Sequence, residues 1–127
     1  IGKLISEYLK GLGADVYVEA RKDADIAWIT ARGMKGVPIE KLALYLSEMN
    51  VIVNTVPAMM LDCRLLDLVR KDVFILDLAS TPGGINFSYA AEKGIKAVHA
   101  LGIPGKVACR SAAVYIYNTI QKILCDS

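Results

Sequence analysis

Strand-like and helix-like segments alternate along nearly the whole chain, and this alternation constrains the fold more than any other feature. Runs rich in β-branched and other apolar residues predict five strands, at 15–20, 36–39, 51–55, 73–78 and 95–99. Strands that alternate with helices through short loops pack as a parallel sheet with right-handed crossovers. The sequence therefore predicts an α/β fold with a doubly wound parallel sheet in three layers.

Segments with helical periodicity lie between the strands. They predict helices at 2–12, 22–32, 42–49, 62–69 and 107–124, and a short helix that runs to 93–94. The chain begins with Ile1, already inside the first helical pattern, so we expect that a first strand and the start of the loop after it are missing. With 127 residues, 54% of them hydrophobic, the chain can bury one core, and residues 1–127 are expected to form a single domain.

Composition narrows the class of protein. The mean hydropathy of +0.40 fits strands buried on both faces, and the longest apolar tract is interrupted by polar residues, so no membrane span is expected. A net charge of +2 does not indicate the strongly basic surface that binds nucleic acid. No signal-peptide pattern is present, and the three cysteines lack metal-ligand spacing. These features predict a cytoplasmic protein without a metal site, and a homo-oligomer is left open.

Ligands of such sheets bind beyond the carboxyl ends of the strands, which directs attention to the loops there. In dinucleotide-binding folds a glycine-rich loop lets the pyrophosphate approach the start of the first helix. Gly2 stands where the last glycine of that loop would lie, at the helix start. The spacing from Gly2 to the end of the next strand also suits a Rossmann-like fold. A nicotinamide dinucleotide is therefore the predicted cofactor.

The residues after the first predicted strand bear on the choice between NADP and NAD. The strand-end position is Ala20, which has no carboxylate for the ribose 2′-hydroxyl of NAD. Arg21 and Lys22 follow at once and could hold a 2′-phosphate. This favours NADP, although Glu19 could still reach a hydroxyl and the two cations could simply be solvated.

Three further loops supply candidate residues. The first two combine small or hydrogen-bonding side chains with prolines and glycines, and the cofactor-binding candidates in them are Asn54, Thr55, Val56, Pro57, Ala79 and Ser80. In the last loop Gly102 is a further cofactor candidate. Ser80, Gly105 and Lys106 are weaker candidates for the substrate, with Lys106 as a cation for a carboxylate, or equally a surface lysine.

No catalytic residue can be assigned from the sequence. His99 is the single histidine and could serve as a general acid, but it ends a strand, which favours a structural role. Asp77 lies within a strand, and we expect backbone donors to bind its carboxylate. The segment lacks a complete catalytic apparatus, as expected of a cofactor domain without its substrate domain.

Three loop sequences together resemble the family of dipicolinate synthase A subunits from spore-forming bacteria. They read N-T-V-P at 54–57, D-L-A-S-T-P-G-G at 77–84 and L-G-I-P-G-K-V-A at 101–108. The family patterns to which they are similar are I-N-T-x-P, D-L-A-S-x-P-G-G and G-L-P-G-K-x-A-P-K-T-A-G. The similarity runs along essentially the whole chain, but C-R-S-A-A at 109–113 stands where the family has P-K-T-A-G.

The resemblance implies that the chain is the C-terminal, nucleotide-binding half of a two-domain enzyme, inactive without its N-terminal domain. It implies oxidation of a dihydrodipicolinate, a small anionic heterocyclic dicarboxylate, to dipicolinate, with NADP accepting hydride. The partner that it implies is a flavoprotein-like B subunit. Two alternatives stay open. One is another NAD(P)-dependent dehydrogenase of shikimate or 2-hydroxy-acid type, and the other is a non-catalytic nucleotide-binding paralogue.

Overall fold

Helices and strands alternate along the chain in the computed structural model. It describes residues 1–101 and 109–126, with the backbone alone at 109–113 and at 115. The elements in chain order are α1 (Gly2–Gly11), β1 (Tyr17–Ala20), α2 (Asp23–Ala31), β2 (Lys35–Pro38), two 3-10 helices (Ile39–Leu44 and Leu46–Glu48), β3 (Val51–Asn54), α3 (Cys63–Leu66), β4 (Phe74–Asp77), α4 (Phe87–Glu92), β5 (Lys96–His99) and α5 (Cys109–Cys125). None of the helices in these ranges is long and apolar enough to span a membrane.

All pairings between these strands are parallel, as the alternation predicted. One sheet contains β1 and β2, and a second has the order β3-β4-β5. Parallel strands joined through helices, without a closed barrel, are the arrangement of a Rossmann-like α/β fold. The chain divides into two compact units, the first comprising Ile1–Pro38 with the described part of Ile103–Ser127, and the second the described part of Ile39–Gly102. That residues 1–127 form a single domain stays a prediction.

The first unit contains the two-stranded sheet and the helices α1, α2 and α5. In its sheet, the β-branched run that ends at Ala20 pairs with Lys35–Pro38. The proline that ends β2 suits a strand with one partner among the described residues. Helices α1 and α2 are each followed by a glycine with positive φ, Gly13 at 93° and Gly33 at 75°. Tyr8 of α1 packs edge-on against Tyr117 of α5, with ring centroids 6.2 Å apart.

Trp28 of α2 lies beneath two cations in the first unit. The guanidinium carbon of Arg32 is 3.9 Å from the centre of the Trp28 ring, and the Lys3 ammonium is 4.9 Å from it. Arg32 also forms an ion pair with Glu7 at 2.6 Å, and Lys3 pairs with Asp25 at 3.1 Å. These contacts join the surfaces of α1 and α2 by cation–π and charge interactions.

The second unit contains the three-stranded sheet and a continuous apolar core. Strand β4 lies between two neighbours and all four of its residues are buried, which explains its unbroken apolar run. The buried side chains that pack together come from the strands, helices and loops of this unit: Leu46, Leu61, Leu66, Val73, Ile75, Ile85, Ala90 and Ile95.

The predicted helix at 42–49 is wrong. The segment instead forms the two 3-10 helices Ile39–Leu44 and Leu46–Glu48. Leu42, Leu46 and Met49 follow the steps of four and three that give an α-helix one buried face, but Leu44 falls outside that face. Leu44 is accordingly 69% exposed whereas Leu46 is buried. The helix predicted at 62–69 is also shorter than expected, since α3 spans Cys63–Leu66.

Side chains cap the two short helices of the second unit and join them. Asp62 accepts a hydrogen bond from Leu65 N at 3.0 Å at the start of α3, and Asn86 accepts one from Tyr89 N at 3.0 Å at the start of α4. Asp67 accepts hydrogen bonds from the Tyr89 hydroxyl at 2.8 Å and from the Lys93 ammonium at 3.0 Å. These two donors, the Tyr89 hydroxyl first, lower the pKa of Asp67.

Candidate functional site

The last residues of β3, β4 and β5 lie side by side at the carboxyl edge of the three-stranded sheet. Asn54 is the register partner of Asp77, and Asp77 is the register partner of His99. Register partners on parallel strands project toward the same face of the sheet. We call Asn54, Asp77 and His99 the polar row. The polar row lies at the carboxyl edge of the sheet, where α/β folds bind ligands. The other residues of the central strand β4 are apolar.

Asp77 is fully buried, at 0% exposure, and three hydrogen-bond donors bind its carboxylate. Its Oδ1 accepts from Asn54 Nδ2 at 2.8 Å and from Ala79 N at 3.0 Å, while its Oδ2 accepts from Gly84 N at 2.7 Å. Both oxygens act as acceptors, and all three donors are neutral N–H groups. The prediction that backbone donors bind Asp77 is confirmed.

Asn54 connects the polar row to the turn after β3. Its Nδ2 also donates to Val56 O at 3.0 Å, and its Oδ1 accepts from Val56 N at 3.2 Å. The structure therefore brings three of the predicted cofactor residues, Asn54, Val56 and Ala79, into one hydrogen-bonded cluster around Asp77. Thr55 beside them is half-buried, and Pro57 is exposed.

His99 supports the loop after β4. Its Nε2 lies 2.7 Å from Ala79 O, and it must donate, because a carbonyl oxygen only accepts. The imidazole stacks on the Phe87 ring with centroids 5.3 Å apart and an angle of 20°. These contacts agree with a structural role for His99, as its position at a strand end favoured.

Two glycines let the loop at 79–84 lie directly against the polar row. A Cβ on Gly83 would be 2.6 Å from Asp77 Oδ2, and Gly83 also has a φ of +86°. A Cβ on Gly84 would collide with the Asn54 amide and lie 2.7 Å from Ala58 O. Both glycines are buried, so the exposed part of the loop is the run of Ser80, Thr81 and Pro82, which we call the loop rim.

The predicted phosphate-binding residues lie in the first unit. Ala20 is the half-buried last residue of β1, and Arg21 and Lys22 follow it with exposed side chains. Lys22 has no ion pair within the described residues, whereas three other cations of this unit are paired with carboxylates: Lys3, Arg32 and Lys35. Gly2 is the first residue of α1, as predicted.

Lys35, by contrast, is held by hydrogen bonds within the first unit. Its ammonium donates to the Tyr17 hydroxyl at 2.8 Å and to Asp15 Oδ2 at 2.9 Å. These hydrogen bonds, that to Tyr17 first, raise the pKa of Lys35. Lys35 is therefore a poorer candidate than Lys22 for an anionic ligand, although both are exposed.

Three predicted site residues, Gly102, Gly105 and Lys106, lie outside the described residues. Across the part of the chain that is described, no group of three or more His, Cys, Asp or Glu side chains could hold a metal ion.

The sequence did not predict that Gly83 and Gly84 shape the loop, nor that His99 contacts Ala79 O. A signal for the polar row was present, because three apolar strand patterns each end in a polar residue: V-I-V-N, F-I-L-D and K-A-V-H. In parallel strands of equal length such terminal residues become neighbours. That alignment needs the register, which the sequence leaves undetermined.

Comparison with known proteins identifies relatives of this chain. The chain is 38% identical over 125 residues to the A subunit of dipicolinate synthase from Bacillus subtilis (strain 168), an alignment that covers 98% of this chain. The chain is homologous to the dipicolinate synthase A subunits. The resemblance inferred from the loop sequences is thereby confirmed. No family model matches the chain.

Solved structures of dipicolinate synthase A subunits share the fold. The Bacillus subtilis protein superimposes with a TM-score of 0.79 at 37% identity, covering 98% of this chain. The Bacillus halodurans protein gives a TM-score of 0.76 at 37% identity, covering 94% of it. The chain spans about two fifths of the length of these relatives, with 42% of the Bacillus subtilis protein and 41% of the Bacillus halodurans structure covered.

Proposed function

We propose that this chain is the dinucleotide-binding part of an NADP-dependent oxidoreductase that oxidises a dihydrodipicolinate to dipicolinate. The observation that carries the proposal is the similarity to the dipicolinate synthase A subunits along 98% of the chain, at 38% identity. The parallel α/β arrangement supports a dinucleotide ligand, because such sheets bind nucleotides at the carboxyl ends of their strands.

The residues after β1 fit the phosphate of NADP better than the ribose hydroxyl of NAD. Ala20 has no carboxylate to repel a 2′-phosphate, and the exposed Arg21 and Lys22 supply a planar guanidinium and an ammonium. We propose that these two side chains hold the 2′-phosphate and that Gly2 lies near the pyrophosphate at the start of α1. The exposed Asp23 in the first turn of α2 works against anion binding there. A guanidinium can hold a phosphate through two parallel hydrogen bonds, and we therefore expect the choice of NADP to depend mainly on Arg21.

We propose that residues after β3 and β4 contact the nicotinamide end of a dinucleotide. The residues there are small, with Ala79 and Ser80 after β4 and Thr55 after β3, and we propose that a flat ring lies against the exposed part of this edge. Bound NADP would accept the hydride that the dihydrodipicolinate loses as its ring becomes aromatic, and the accompanying proton would leave to water. This chain's residues need only bind and orient the two rings, because the cofactor supplies the redox chemistry.

The relatives are themselves named as subunits, and we propose that this chain also acts beside a second, flavoprotein-like B subunit. Lys106 remains our candidate for contacting a substrate carboxylate, with Gly105 beside it. The remaining substrate contacts would come from parts of the enzyme outside this sequence.

Calorimetric titration of the full-length protein with NADP and with NAD tests the proposal. We expect NADP to bind more tightly, and Arg21→Ala to weaken NADP binding about tenfold or more while leaving NAD binding unchanged, since one charged hydrogen-bonding group is lost. Arg70→Ala is the control, because Arg70 is paired with Asp72 in the other unit. A preference for NAD that is lost in Glu19→Ala would overturn the choice of NADP.

The enzymatic step is tested next, by following NADPH absorbance when the protein and a dihydrodipicolinate are mixed. Production of NADPH and dipicolinate in equal amounts is expected. Binding of NADP without turnover, with or without the B subunit, would instead indicate a non-catalytic nucleotide-binding paralogue. If neither cofactor binds, the oxidoreductase proposal is wrong.

A further inference from the structure

The polar row holds both ends of the loop at 79–84. At the first end, Ala79 N donates to Asp77 Oδ1 at 3.0 Å, and Ala79 O accepts from His99 Nε2 at 2.7 Å. At the other end, Gly84 N donates to Asp77 Oδ2 at 2.7 Å. A single buried carboxylate therefore fixes the separation between the two ends of the loop.

The interior of the loop is determined by the same contacts. Gly83 N donates to Ser80 O at 2.8 Å, which closes a turn under the loop rim. Gly83 and Gly84 lie so close to Asp77 and Asn54 that neither position has space for a Cβ. The polar row thus acts as a fixed base, and the exposed rim of Ser80, Thr81 and Pro82 takes its position from that base.

The loop rim lies after β4 at the carboxyl edge of the sheet, where a ligand of an α/β fold is expected. A rim already fixed in its bound conformation spares the ligand the entropic cost of ordering it. Binding geometry also depends on buried groups that hold the contacting residues in place. Asp77 meets that description because it has no exposure of its own and bonds directly to two backbone groups of the loop.

We propose that Asp77 is a positioning residue whose carboxylate holds the loop rim in the conformation that receives the nicotinamide end of the dinucleotide. This inference rests on the proposed function, and it adds a residue that does not itself touch the ligand. Ser80 and its neighbours make the contact, and Asp77 determines where they lie.

Asp77→Asn in the full-length protein tests this role with little change of shape. One carboxylate oxygen becomes an NH2 group, which must face a backbone N–H or the Asn54 amide, so that two donors meet and one end of the loop is released. Calorimetric titration with NADP and NAD reports affinity separately from the fraction of folded, binding-competent protein. Asp72→Asn, which removes an exposed carboxylate paired with Arg70, is the matched control.

We expect Asp77→Asn to raise the Kd for both cofactors about tenfold, because the rim is displaced. The ratio of NADP to NAD affinity should stay that of the wild type, because this ratio depends on Arg21. A purely structural role for Asp77 would lower the unfolding midpoint and the binding stoichiometry but leave the Kd unchanged.

His99→Phe provides a second, milder test that leaves Asp77 intact. It keeps a ring to stack on Phe87 and removes the donor to Ala79 O, so a smaller rise in both Kd values is expected. If Asp77→Asn does not fold, His99→Phe still tests the premise that the position of the rim sets the affinity, and unchanged Kd values would overturn the role proposed for Asp77. Wild-type Kd values in every variant that folds would overturn the positioning role and leave the proposed function standing, whereas a wild-type protein that binds neither cofactor would overturn both.

Discussion

Asn54 Nδ2 donates a hydrogen bond to Asp77 Oδ1 across 2.8 Å, and the two residues are register partners at the ends of neighbouring parallel strands. Both are buried, so each depends on the other for a hydrogen bond that water cannot readily replace. The same pair connects the turn after β3 with the loop after β4, through Val56 and Ala79. Stability and the shape of the candidate site are therefore linked at this contact.

Asn54→Ala should destabilise the protein by about 2 kcal/mol, because Asp77 loses one of its three donors and Val56 loses its side-chain partner. The measurement is the free energy of unfolding from urea denaturation of the purified protein. Asn50→Ala, at the exposed position just before β3, is the control and should change stability little. Equal effects at the two asparagines would contradict the importance of the Asn54–Asp77 hydrogen bond.

Gly84→Ala and Gly11→Ala should have opposite effects. A methyl group at 84 meets the Asn54 amide, Ala58 O and Val56 O, so we expect a loss of about 2 kcal/mol or more. At 11, the last residue of α1, an added Cβ would have no described atom within 4 Å apart from its chain neighbours and the backbone of its own helix, and alanine should stabilise the helix by about 0.5 kcal/mol. Thermal unfolding of both variants tests the pair, and a Gly84→Ala protein as stable as wild type would show that the loop is not pressed against the polar row.

Asp67→Asn should lower stability at neutral pH but not in strong acid. The Tyr89 hydroxyl and the Lys93 ammonium lower the pKa of Asp67 from its ordinary value of 3.8. A carboxylate whose pKa is lower in the folded state stabilises the protein above the unfolded pKa, and this contribution is lost as pH falls through the folded pKa. The difference between wild type and Asp67→Asn should therefore shrink below about pH 4.

Urea midpoints measured at neutral pH and in steps into the acid range test the Asp67 prediction. Glu92→Gln, at the exposed end of α4, is the charge-matched control. A gap between wild type and Asp67→Asn that keeps its size throughout the acid range would show that the loss is not linked to ionisation of Asp67.

Arg32→Ala should destabilise the first unit by about 1 kcal/mol. The substitution removes both the guanidinium above the Trp28 ring and the ion pair with Glu7. Arg32 is partly exposed, so solvent limits the size of the effect. Lys41→Ala, an exposed cation of the other unit, serves as the reference in urea unfolding. A loss no larger than that of Lys41→Ala would rule out a stabilising role for the contacts at Trp28.

The sequence allowed the strands and their parallel pairing to be predicted, since each strand is a short run between helical segments. It failed at 42–49, where Leu42, Leu46 and Met49 recur at steps of four and three and predicted an α-helix, whereas the chain forms 3-10 helices at Ile39–Leu44 and Leu46–Glu48. Local periodicity cannot separate these outcomes when the burial of Leu46 is decided by residues distant in sequence.

Several residues of the candidate site could be predicted from the sequence, but the contacts between them could not. Binding of Asp77 by backbone donors followed from its place in a buried strand. Its pairing with Asn54 and Gly84 depends on strand register and on the path of a loop, neither of which short-range patterns specify. The exposure of Arg21 and Lys22 agrees with the prediction of a phosphate site, and which cofactor they bind stays a prediction.

The contact between Tyr8 and Tyr117 has a consequence for how the chain acquires its structure. It joins the first and last helices, so the first unit is assembled from two stretches separated by the whole of the second. Closing so long a loop costs chain entropy before any contact is gained, and such distant contacts form slowly. The second unit is continuous in sequence, and we expect it to fold first during synthesis on the ribosome, with the polar row in place before α5 emerges.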